Sequence, residues 1–322
     1  MSDVPVAVVM PVYNDWIACH ELLTRLDRVL AARYRTIPVF VVDDGTQQAD
    51  PSRTLNHPFV CLEPTVLQLR RNLGHQRAIC IGLAFVHATI SPEITIVMDS
   101  DGEDAPEDVP RLLDAVKAAG DAIVFAKRTK RSESYLFRIG YSSFKLLHRL
   151  ATGHGIAFGN FSAIPRERLA SLVSVGDLWN NYAASVLVSR QRYMSIPTTR
   201  ARRLAGAPHM NVASLTIHGL SAISVFGEVV ALRLTLLGAI GAGLAACALV
   251  MHQTGLIALS TSALVLVAVM AVSSVQVTGF ALLFAFLTLS RRSATVFQPA
   301  RDAQSYIYRV VRPEVMRPTA PA

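Results

Sequence analysis

The chain has 322 residues, 52% of them hydrophobic, and its mean hydropathy of +0.38 is too high for an ordinary soluble protein. A formal net charge of +8 fits work against an anionic membrane surface. The sequence lacks the aromatic and basic motifs of nucleic-acid-binding modules, so a nucleic-acid partner is not expected. Its four cysteines have no paired spacing, which indicates thiols in a reducing compartment.

The N-terminal segment MSDVPVAVVMPVYNDW has neither a basic n-region nor a cleavage site. We therefore expect no signal peptide, and we expect the region that follows to stay in the cytosol.

Short apolar strands alternate with amphipathic helices over residues 6–126. The predicted strands are Val6–Met10, Pro38–Val42, Val66–Leu69, Ile94–Met98 and Ala122–Ala126. The predicted helices are Asp15–Ala32, His75–Ala88 and Pro106–Ala119. This alternation predicts an α/β domain with a mostly parallel sheet, whose ligands bind at the carboxyl ends of the strands.

The fourth predicted strand, Ile94–Met98, runs directly into Asp99-Ser100-Asp101. Two carboxylates one residue apart at the edge of a sheet can hold a hard divalent cation, Mg²⁺ or Mn²⁺, that in turn holds a diphosphate. The alternative is an ordinary acidic turn, because Asp is a common loop residue.

A helix predicted over Tyr135–Leu150 carries polar and basic residues on one face. Helical spacing aligns Arg138, Ser142, Lys145 and Arg149. Such a stripe is either a solvated face or a surface that meets lipid phosphate, and the apolar segments farther along the chain favour lipid phosphate.

The C-terminal third of the chain is apolar. Residues 211–233 predict an interfacial helix, and between Leu234 and Ser290 there is no Asp, Glu, Lys or Arg. That length accommodates two membrane spans joined by a turn at His252–Gly255, with a buried core hairpin as the alternative. Arg233 precedes the pair and Arg291 and Arg292 follow it, so the positive-inside rule places both flanks in the cytoplasm.

Ordered motifs connect these pieces. PVYND (11–15), VVDDGT (41–46), RRNLGHQRA (70–78) and MDSDGEDAPED (98–108) resemble, in order and spacing, the family 2 glycosyltransferases. AKR (126–128), FRIGYSSFKLLHRL (137–150), GNFSAIPR (159–166), RLAGAPHM (203–210) and the two spans resemble its polyisoprenyl-phosphate group. That group includes dolichyl-phosphate mannose synthase and bacterial undecaprenyl-phosphate glycosyltransferases.

The resemblance implies a GT-A-like, mostly parallel sheet flanked by helices, followed by interfacial helices and two transmembrane helices. The expected divisions are a glycosyltransferase domain at 1–208, a juxtamembrane amphipathic helix at 209–232, two spans at 233–290 and a cytosolic tail at 291–322. It also implies the bacterial cytoplasmic membrane as the location. Small residues such as Gly238 in the spans leave a homo-oligomer open.

By the same resemblance, the activity is inverting transfer of one sugar from a UDP- or GDP-linked donor to a polyprenyl phosphate such as undecaprenyl phosphate, with Mg²⁺ or Mn²⁺. The implied catalytic residues are Asp99, Asp101, Arg128, Arg138, Ser142 and Arg203. The implied nucleotide-binding residues are Pro11, Tyr13, Asp15, Asp43, Arg71, Gly74 and Ser100. Asn160 is the implied sugar-binding residue, and Asp99, Asp101 and Glu103 are the implied metal ligands.

The chemistry explains these residue types. A divalent cation neutralises the charge that develops on a departing diphosphate. A lipid monophosphate has a second pKa of about 6, so at neutral pH it is already a dianionic nucleophile and needs no general base. Arginines suit the remaining task of holding and aiming that phosphate.

Five positions depart from the pattern of the family. Asn160 replaces a usual Asp, Pro208-His209 replace a usual Ser-Lys pair, Asp15 replaces a common Glu, and Glu103 stands where Gln is frequent. A processive synthase is disfavoured because the Q-x-x-R-W motif is missing, and Gln191-Arg192-Tyr193 does not match it. The other alternative is a non-catalytic, membrane-anchored adaptor that binds a nucleotide.

Overall fold

The structure is a computed structural model, and it describes residues 5–47, 55, 58–128, 145–155, 158–205, 219–290 and 297–313. The chain divides into two compact units. The first unit contains the described residues up to 128, those of 158–225 and 297–313, and the second contains 145–155 and 226–290.

An eight-stranded sheet forms the centre of the first unit. Its strands are β1 (Val6–Val12), β2 (Ile37–Asp43), β3 (Leu62–Leu69), β4 (Ile94–Val97), β5 (Ile123–Arg128), β6 (Ser162–Pro165), β7 (Tyr193–Thr198) and β8 (Ile307–Val311). They follow the order β7-β5-β6-β4-β1-β2-β3-β8, and only β6 and β8 pair antiparallel to their neighbours. The predicted mostly parallel α/β sheet is therefore confirmed, and the carboxyl ends of β1, β2, β4, β5 and β7 share one edge.

Helices cover both faces of this sheet. They are α1 (Trp16–Leu30), α2 (His75–Thr89), α3 (Val109–Ala119), α4 (Arg166–Val173) and α5 (Tyr182–Val188). Side chains alternate along β1: Val8 and Met10 pack in the core with α1 and α3, while Ala7 and Val9 pack in the core with α2. The α2 helix approaches closely because Gly82 has no side chain, and a Cβ there would lie 2.5 Å from Val9 Cγ1.

A buried carboxylate joins α1 to the start of β3. Asp27 accepts hydrogen bonds from the backbone N–H groups of Val60 (2.7 Å), Cys61 (2.8 Å) and Leu62 (3.0 Å). Burial alone would raise the pKa of Asp27, but these donors outweigh it and hold the pKa below its usual range.

Three strands were not predicted from the sequence, and one of them changes the expected domain division. The tail expected at 291–322 contributes β8, which pairs antiparallel with β3 from Leu69↔Ile307 to Val66↔Val311. Residues 297–313 therefore belong to the sheet unit and are not a separate tail. These three strands lack the buried apolar run of the predicted ones. Strand β6 has only Ala163 and Ile164 before its proline, and β7 and β8 expose most of their side chains.

Two long apolar helices dominate the second unit. They are α6 (Gly227–Gln253) and α7 (Thr261–Ser290). An 18-residue stretch within each has a mean hydropathy of 2.2 and 2.0, respectively, and each helix is long and apolar enough to cross a membrane. Gly238 and Gly241 lie directly against Ser274 and Thr278 of the other helix, so small residues set the close approach of the pair. The first of these helices begins at Gly227 rather than near 233, which shortens the expected juxtamembrane segment.

The helical residues 145–152 belong to this second unit, although the sequence placed them in the domain 1–208. Arg233 accounts for part of this grouping, because its guanidinium donates to the backbone carbonyl of Leu150 at 2.8 Å. A cation at the C-terminal end of a helix stabilises the exposed carbonyls there.

We expect Asp27→Asn to lower the free energy of unfolding by about 1–3 kcal/mol at pH 7, because an amide cannot accept all three N–H groups. The folded-state pKa of Asp27 lies below its unfolded value, so its contribution is complete well above pH 3.8 and is lost as the pH falls through the folded pKa. Urea denaturation of the full chain between pH 7 and 3 should show a shallower pH dependence in the variant. Asp114→Asn is the control, since the Asp114 ion pair with Arg33 is exposed and should contribute less than about 1 kcal/mol; equal losses in both variants would contradict this assignment.

Candidate active site

The predicted site residues follow strands that end at one edge of the sheet. Asp43 ends β2, Arg128 ends β5, and Asp99 and Asp101 follow β4. The structure thus places these four side chains at the edge where the sequence predicted them. Pro11 lies inside β1, opposite Val42, rather than on the loop that follows.

The loops after β1 and β2 are fastened to each other by Thr46. Its hydroxyl oxygen accepts from the backbone N–H of Asn14 at 3.2 Å and from the indole N–H of Trp16 at 3.3 Å, and its own N–H donates to Asp43 Oδ1 at 3.0 Å. Burial raises the pKa of Asp43, and the bonds from Thr46 oppose that rise. Tyr13, a predicted nucleotide-binding residue, is exposed on the first of these loops.

Asp44 connects the second of these loops to the loop before α2. Its two carboxylate oxygens accept from the N–H groups of Leu73 (2.7 Å) and Gly74 (2.9 Å). Sequence analysis passed over Asp44 because an Asp-Gly pair is typical of a simple turn. Gly45 is required for the same contact: its φ is +75°, and a Cβ would lie 2.6 Å from the Asn72 nitrogen.

A polar network surrounds Asp99. Gln76 accepts from the Tyr182 N–H (2.8 Å) and donates to Asn160 Oδ1 (3.1 Å), which orients the Asn160 amide nitrogen toward His75. The Nε2 atom of His75 lies 3.1 Å from Asp99 Oδ1. Burial lowers the pKa of His75, but the Asp99 charge outweighs burial and raises it.

Sequence analysis missed His75 and Gln76, although both lie in the RRNLGHQRA motif that it singled out. Their proximity to Asp99 is visible only when β4 is paired beside β1. Asn160, predicted to face the sugar, is thereby joined to the first carboxylate of the Asp99-Ser100-Asp101 motif.

Arginines neutralise the other carboxylates at this edge. Arg128 donates to the buried Asp104 at 3.0 Å and lies 3.4 Å from Glu103, and Arg200 donates to Glu103 at 2.5 Å. Arg203 donates to Asp101 at 3.0 Å and also contacts Asp15. Burial raises the pKa of Asp104, and the charge of Asp99 raises it further.

The carboxylates at this edge suit a divalent cation only if a bound ligand supplies further oxygen atoms to it. Glu103, the third predicted metal ligand, faces Arg128 and Arg200, and among the residues that the structure describes no three His, Cys, Asp or Glu side chains converge on one point. Mg²⁺ commonly binds one or two protein carboxylates and completes its shell with water and substrate phosphates, and oxygen ligands also suit Mn²⁺. Asp99 and Asp101 match that pattern.

Of the remaining predicted residues, some are described by the structure and some are not. Arg71 is exposed and Gly74, with a φ of +97°, precedes α2 at the same edge, while the Ser100 side chain is buried. Arg138, Ser142 and the Pro208-His209 pair lie outside the described residues.

Comparison with known proteins shows the family to which the chain belongs. The model of the family described as Glycosyl transferase family 2 matches residues 7–171, just over half of the chain. The chain is similar to an undecaprenyl-phosphate 4-deoxy-4-formamido-L-arabinose transferase of Klebsiella pneumoniae strain 342, with 29% identity over 247 residues. A protein of the same description from a second strain of that species is 30% identical, and each match covers 70% of this chain and 72% of the relative.

Among solved structures, the chain is similar to glucosyl-3-phosphoglycerate synthase from Mycobacterium tuberculosis in complex with Mn²⁺, uridine diphosphate and phosphoglyceric acid. The TM-score is 0.50 at 16% identity, and the match covers 70% of this chain and 78% of that one. This likeness supports the GT-A-like fold that the sequence predicted.

Gly45→Ala should lower the free energy of unfolding by about 1–3 kcal/mol more than Gly120→Ala does. Both glycines have a positive φ, +75° and +71°, so backbone strain is common to both variants. Only at Gly45 does a Cβ meet backbone, that of Arg71 and Asn72, whereas nothing lies within 4 Å at Gly120. Chemical denaturation measures the difference, and equal losses would show that the loop contact is unimportant.

Proposed function

The chain belongs to glycosyl transferase family 2, and from that membership we propose that it transfers a single sugar from a nucleotide-sugar to a polyprenyl phosphate such as undecaprenyl phosphate. Its curated relatives carry that acceptor in their names. The candidate spans α6 and α7 supply the membrane attachment that a polyprenyl substrate requires.

One observation carries the proposal: a pair of carboxylates and a set of arginines face each other at a single sheet edge. Asp99 and Asp101 suit a cation-bound diphosphate, while Arg128 and Arg203 suit a phosphate of the acceptor. A transferase that joins two anionic substrates needs both kinds of group close together, because unneutralised phosphates would repel each other.

Asp99 and Asp101 would hold Mg²⁺ or Mn²⁺, which when bound neutralises the charge that develops on the leaving diphosphate. The residues of the chain then have a positioning task. Arg128 and Arg203 orient the acceptor phosphate, and Arg138 and Ser142, which lie outside the described residues, are proposed for the same task. Since the phosphate attacks as a dianion, no residue has to remove a proton, and in-line attack inverts the anomeric carbon.

The nucleotide of the donor is proposed to bind over the fastened loops after β1 and β2. Tyr13 is exposed there, and Asp43, with one oxygen held by Thr46, can accept a hydrogen bond from a ribose hydroxyl or a base N–H through the other. Arg71 and Gly74 border the same edge. UDP- and GDP-linked sugars both match these contacts.

The pairing of β8 with β3 supports the orientation. The segments before and after the two apolar helices share one sheet, so both must lie on the same side of a membrane. Two spans meet that requirement, and the basic residues Arg233, Arg291 and Arg292 favour the cytoplasmic side of the bacterial inner membrane.

A nucleotide-binding adaptor without activity is the second candidate, and Asn160 is the residue that favours it. Membranes containing the chain should be incubated with radiolabelled UDP- and GDP-sugars, undecaprenyl phosphate and Mg²⁺ or Mn²⁺, and the lipid extract should be separated by chromatography. A lipid-linked sugar is expected from at least one donor. Nucleotide binding without any lipid-linked product from the whole donor panel would favour the adaptor.

Asp101→Ala should reduce metal-dependent transfer by about 10²-fold or more, because the cation loses one of its two protein carboxylates. Initial rates across a Mn²⁺ titration measure this loss. Asp114→Ala, which removes an exposed carboxylate from α3, is the control and should keep the rate of the unsubstituted chain. Full activity of Asp101→Ala would contradict the metal assignment.

Arg138→Ala should raise the KM for polyprenyl phosphate about tenfold or more and leave the KM for the sugar nucleotide nearly unchanged, because a charge-assisted bond to phosphate contributes about 1.5–3 kcal/mol. Separate titrations of the two substrates measure the ratio. An equal rise in both KM values would argue against a role in acceptor binding.

A further inference from the structure

The segment that follows β7, residues 200–205, is fastened along the Asp99-Ser100-Asp101 loop, and we call it the strap. The N–H of Ala201 donates to the Glu103 carbonyl and that of Leu204 to the Asp101 carbonyl, both at 3.0 Å. Gly102, with a φ of +84°, leaves the space that the Leu204 side chain fills. These contacts place the side chains of the strap over the predicted metal site.

Arg203 of the strap has all three parts of its guanidinium engaged. One terminal nitrogen donates to Asp101 Oδ2 at 3.0 Å, the other contacts Asp15 Oδ2, and Nε donates to the Ala205 carbonyl at 3.0 Å. The side chain is 18% exposed. Arg203 therefore bridges the loop after β1, which carries Asp15, and the loop after β4, which carries Asp101.

Both oxygens of Asp101 are occupied in this arrangement, because Oδ1 accepts from the Glu103 N–H at 3.0 Å and Oδ2 accepts from Arg203. The same side chain is the proposed ligand of a divalent cation. A cation at Asp101 would share that carboxylate with a guanidinium of like charge, which is unfavourable at short distance. Arg203 and the cation therefore compete for Asp101.

We infer that Arg203 couples the metal site to the acceptor site: it neutralises Asp101 until a cation binds there, and it then turns to the phosphate of the acceptor. The inference rests on the proposed function, which gives Arg203 an anionic acceptor. The exchange preserves charge balance, since the cation replaces the guanidinium at Asp101 and the phosphate replaces Asp101 at the guanidinium. It also ensures that the arginine becomes available when the site is loaded with metal.

Coupling of this kind is reciprocal by thermodynamic linkage. If a cation releases Arg203 for the acceptor, then an acceptor phosphate that draws Arg203 away must tighten cation binding by the same factor. Couplings between sites typically change affinities about 5- to 150-fold. The measurable consequence is a Mn²⁺ affinity that depends on an acceptor phosphate only when Arg203 is present.

Arg200 provides a matched control within the strap. It lies three residues before Arg203, and its guanidinium donates to both carboxylate oxygens of Glu103 at 2.5 Å. Arg200→Gln and Arg203→Gln remove the same charge from the same segment. Any general electrostatic effect on cation binding is therefore shared. Glu103 keeps Arg128 as a partner at 3.4 Å when Arg200 is removed, so a difference between the two variants reports competition at Asp101.

The test is Mn²⁺ binding to the purified full-length chain in lipid nanodiscs, followed by the electron paramagnetic resonance signal of free Mn²⁺. Farnesyl phosphate is the acceptor probe, and its own binding of Mn²⁺ is measured without protein and subtracted. We expect Arg203→Gln to bind Mn²⁺ about fivefold or more tightly than Arg200→Gln does. We also expect farnesyl phosphate to tighten Mn²⁺ binding in the unsubstituted chain and in Arg200→Gln, but not in Arg203→Gln.

Equal Mn²⁺ affinities of the two variants, or an undiminished effect of farnesyl phosphate in Arg203→Gln, would overturn the inference. Arg203→Lys serves as a second variant should Arg203→Gln fail to fold. Its ammonium keeps the charge but lacks the fork that reaches Asp15 and Asp101 together, so its Mn²⁺ affinity should exceed that of the unsubstituted chain; an unchanged affinity counts against the inference.

The binding measurement does not require sugar transfer, so the two proposals fail separately. If no donor yields a lipid-linked product while Arg203→Gln still tightens Mn²⁺ binding, the proposed function fails and the competition at Asp101 stands. If sugar is transferred and the two variants bind Mn²⁺ equally, only the coupling fails.

Discussion

Mutual repulsion of carboxylates at one sheet edge is the constraint on which the rest of this structure depends. Parallel strands deliver their carboxyl ends to the same edge, and five acidic side chains gather there: Asp15, Asp99, Asp101, Glu103 and Asp104. Partly shielded from water, such a cluster is stable only with cations beside it. The end of β5 and the strap after β7 bring three arginines, and α2 brings His75. Strand β7 lies next to β5 and far from β3, and this position brings the arginines of the strap to the acidic edge.

The same neutralisation would prepare the edge for the two anionic substrates proposed above. A metal-bound diphosphate would supply a cation to the carboxylates, and a lipid phosphate would supply an anion to the arginines. Each internal ion pair could then be replaced without leaving an unpaired charge in a poorly solvated environment. Asp44 and Asp27 illustrate the contrast. They are satisfied by backbone N–H groups, which no substrate can replace, and they hold loops in place. The Asp101 oxygen that accepts from Arg203 could exchange that partner, whereas Asp27 and Asp44, which accept backbone N–H groups on both oxygens, maintain the fold.

Apolar alternation and helical spacing in the sequence predicted β1, β2, β4, β5 and the first three helices well, because these patterns are local. The placement of Asp43, Asp99, Asp101 and Arg128 at one edge followed, since parallel strands end together. The ion pairs could not be predicted from local patterns: Glu103, a predicted metal ligand, pairs with Arg200, which lies 97 residues later in the chain. His75 was likewise unremarkable at the start of a helix until β4 placed Asp99 beside it. Contacts between distant segments depend on pairing that no local pattern records, whereas β6, β7 and β8 were missed because their own apolar patterns are weak.

The last strand has a consequence for how the chain assembles. The edge of β3 has no outer neighbour until residues 307–311 have been synthesised, and those residues come after both apolar helices. An unpaired strand edge invites association with other chains. Insertion of the hairpin formed by α6 and α7 would return residues 307–311 to the side of the membrane on which β3 lies. Strand β8 could then pair with the free edge of β3. Membrane attachment and completion of the sheet are thus linked by chain order, and a chain that inserted only one of its two apolar helices would leave β8 on the wrong side of the bilayer.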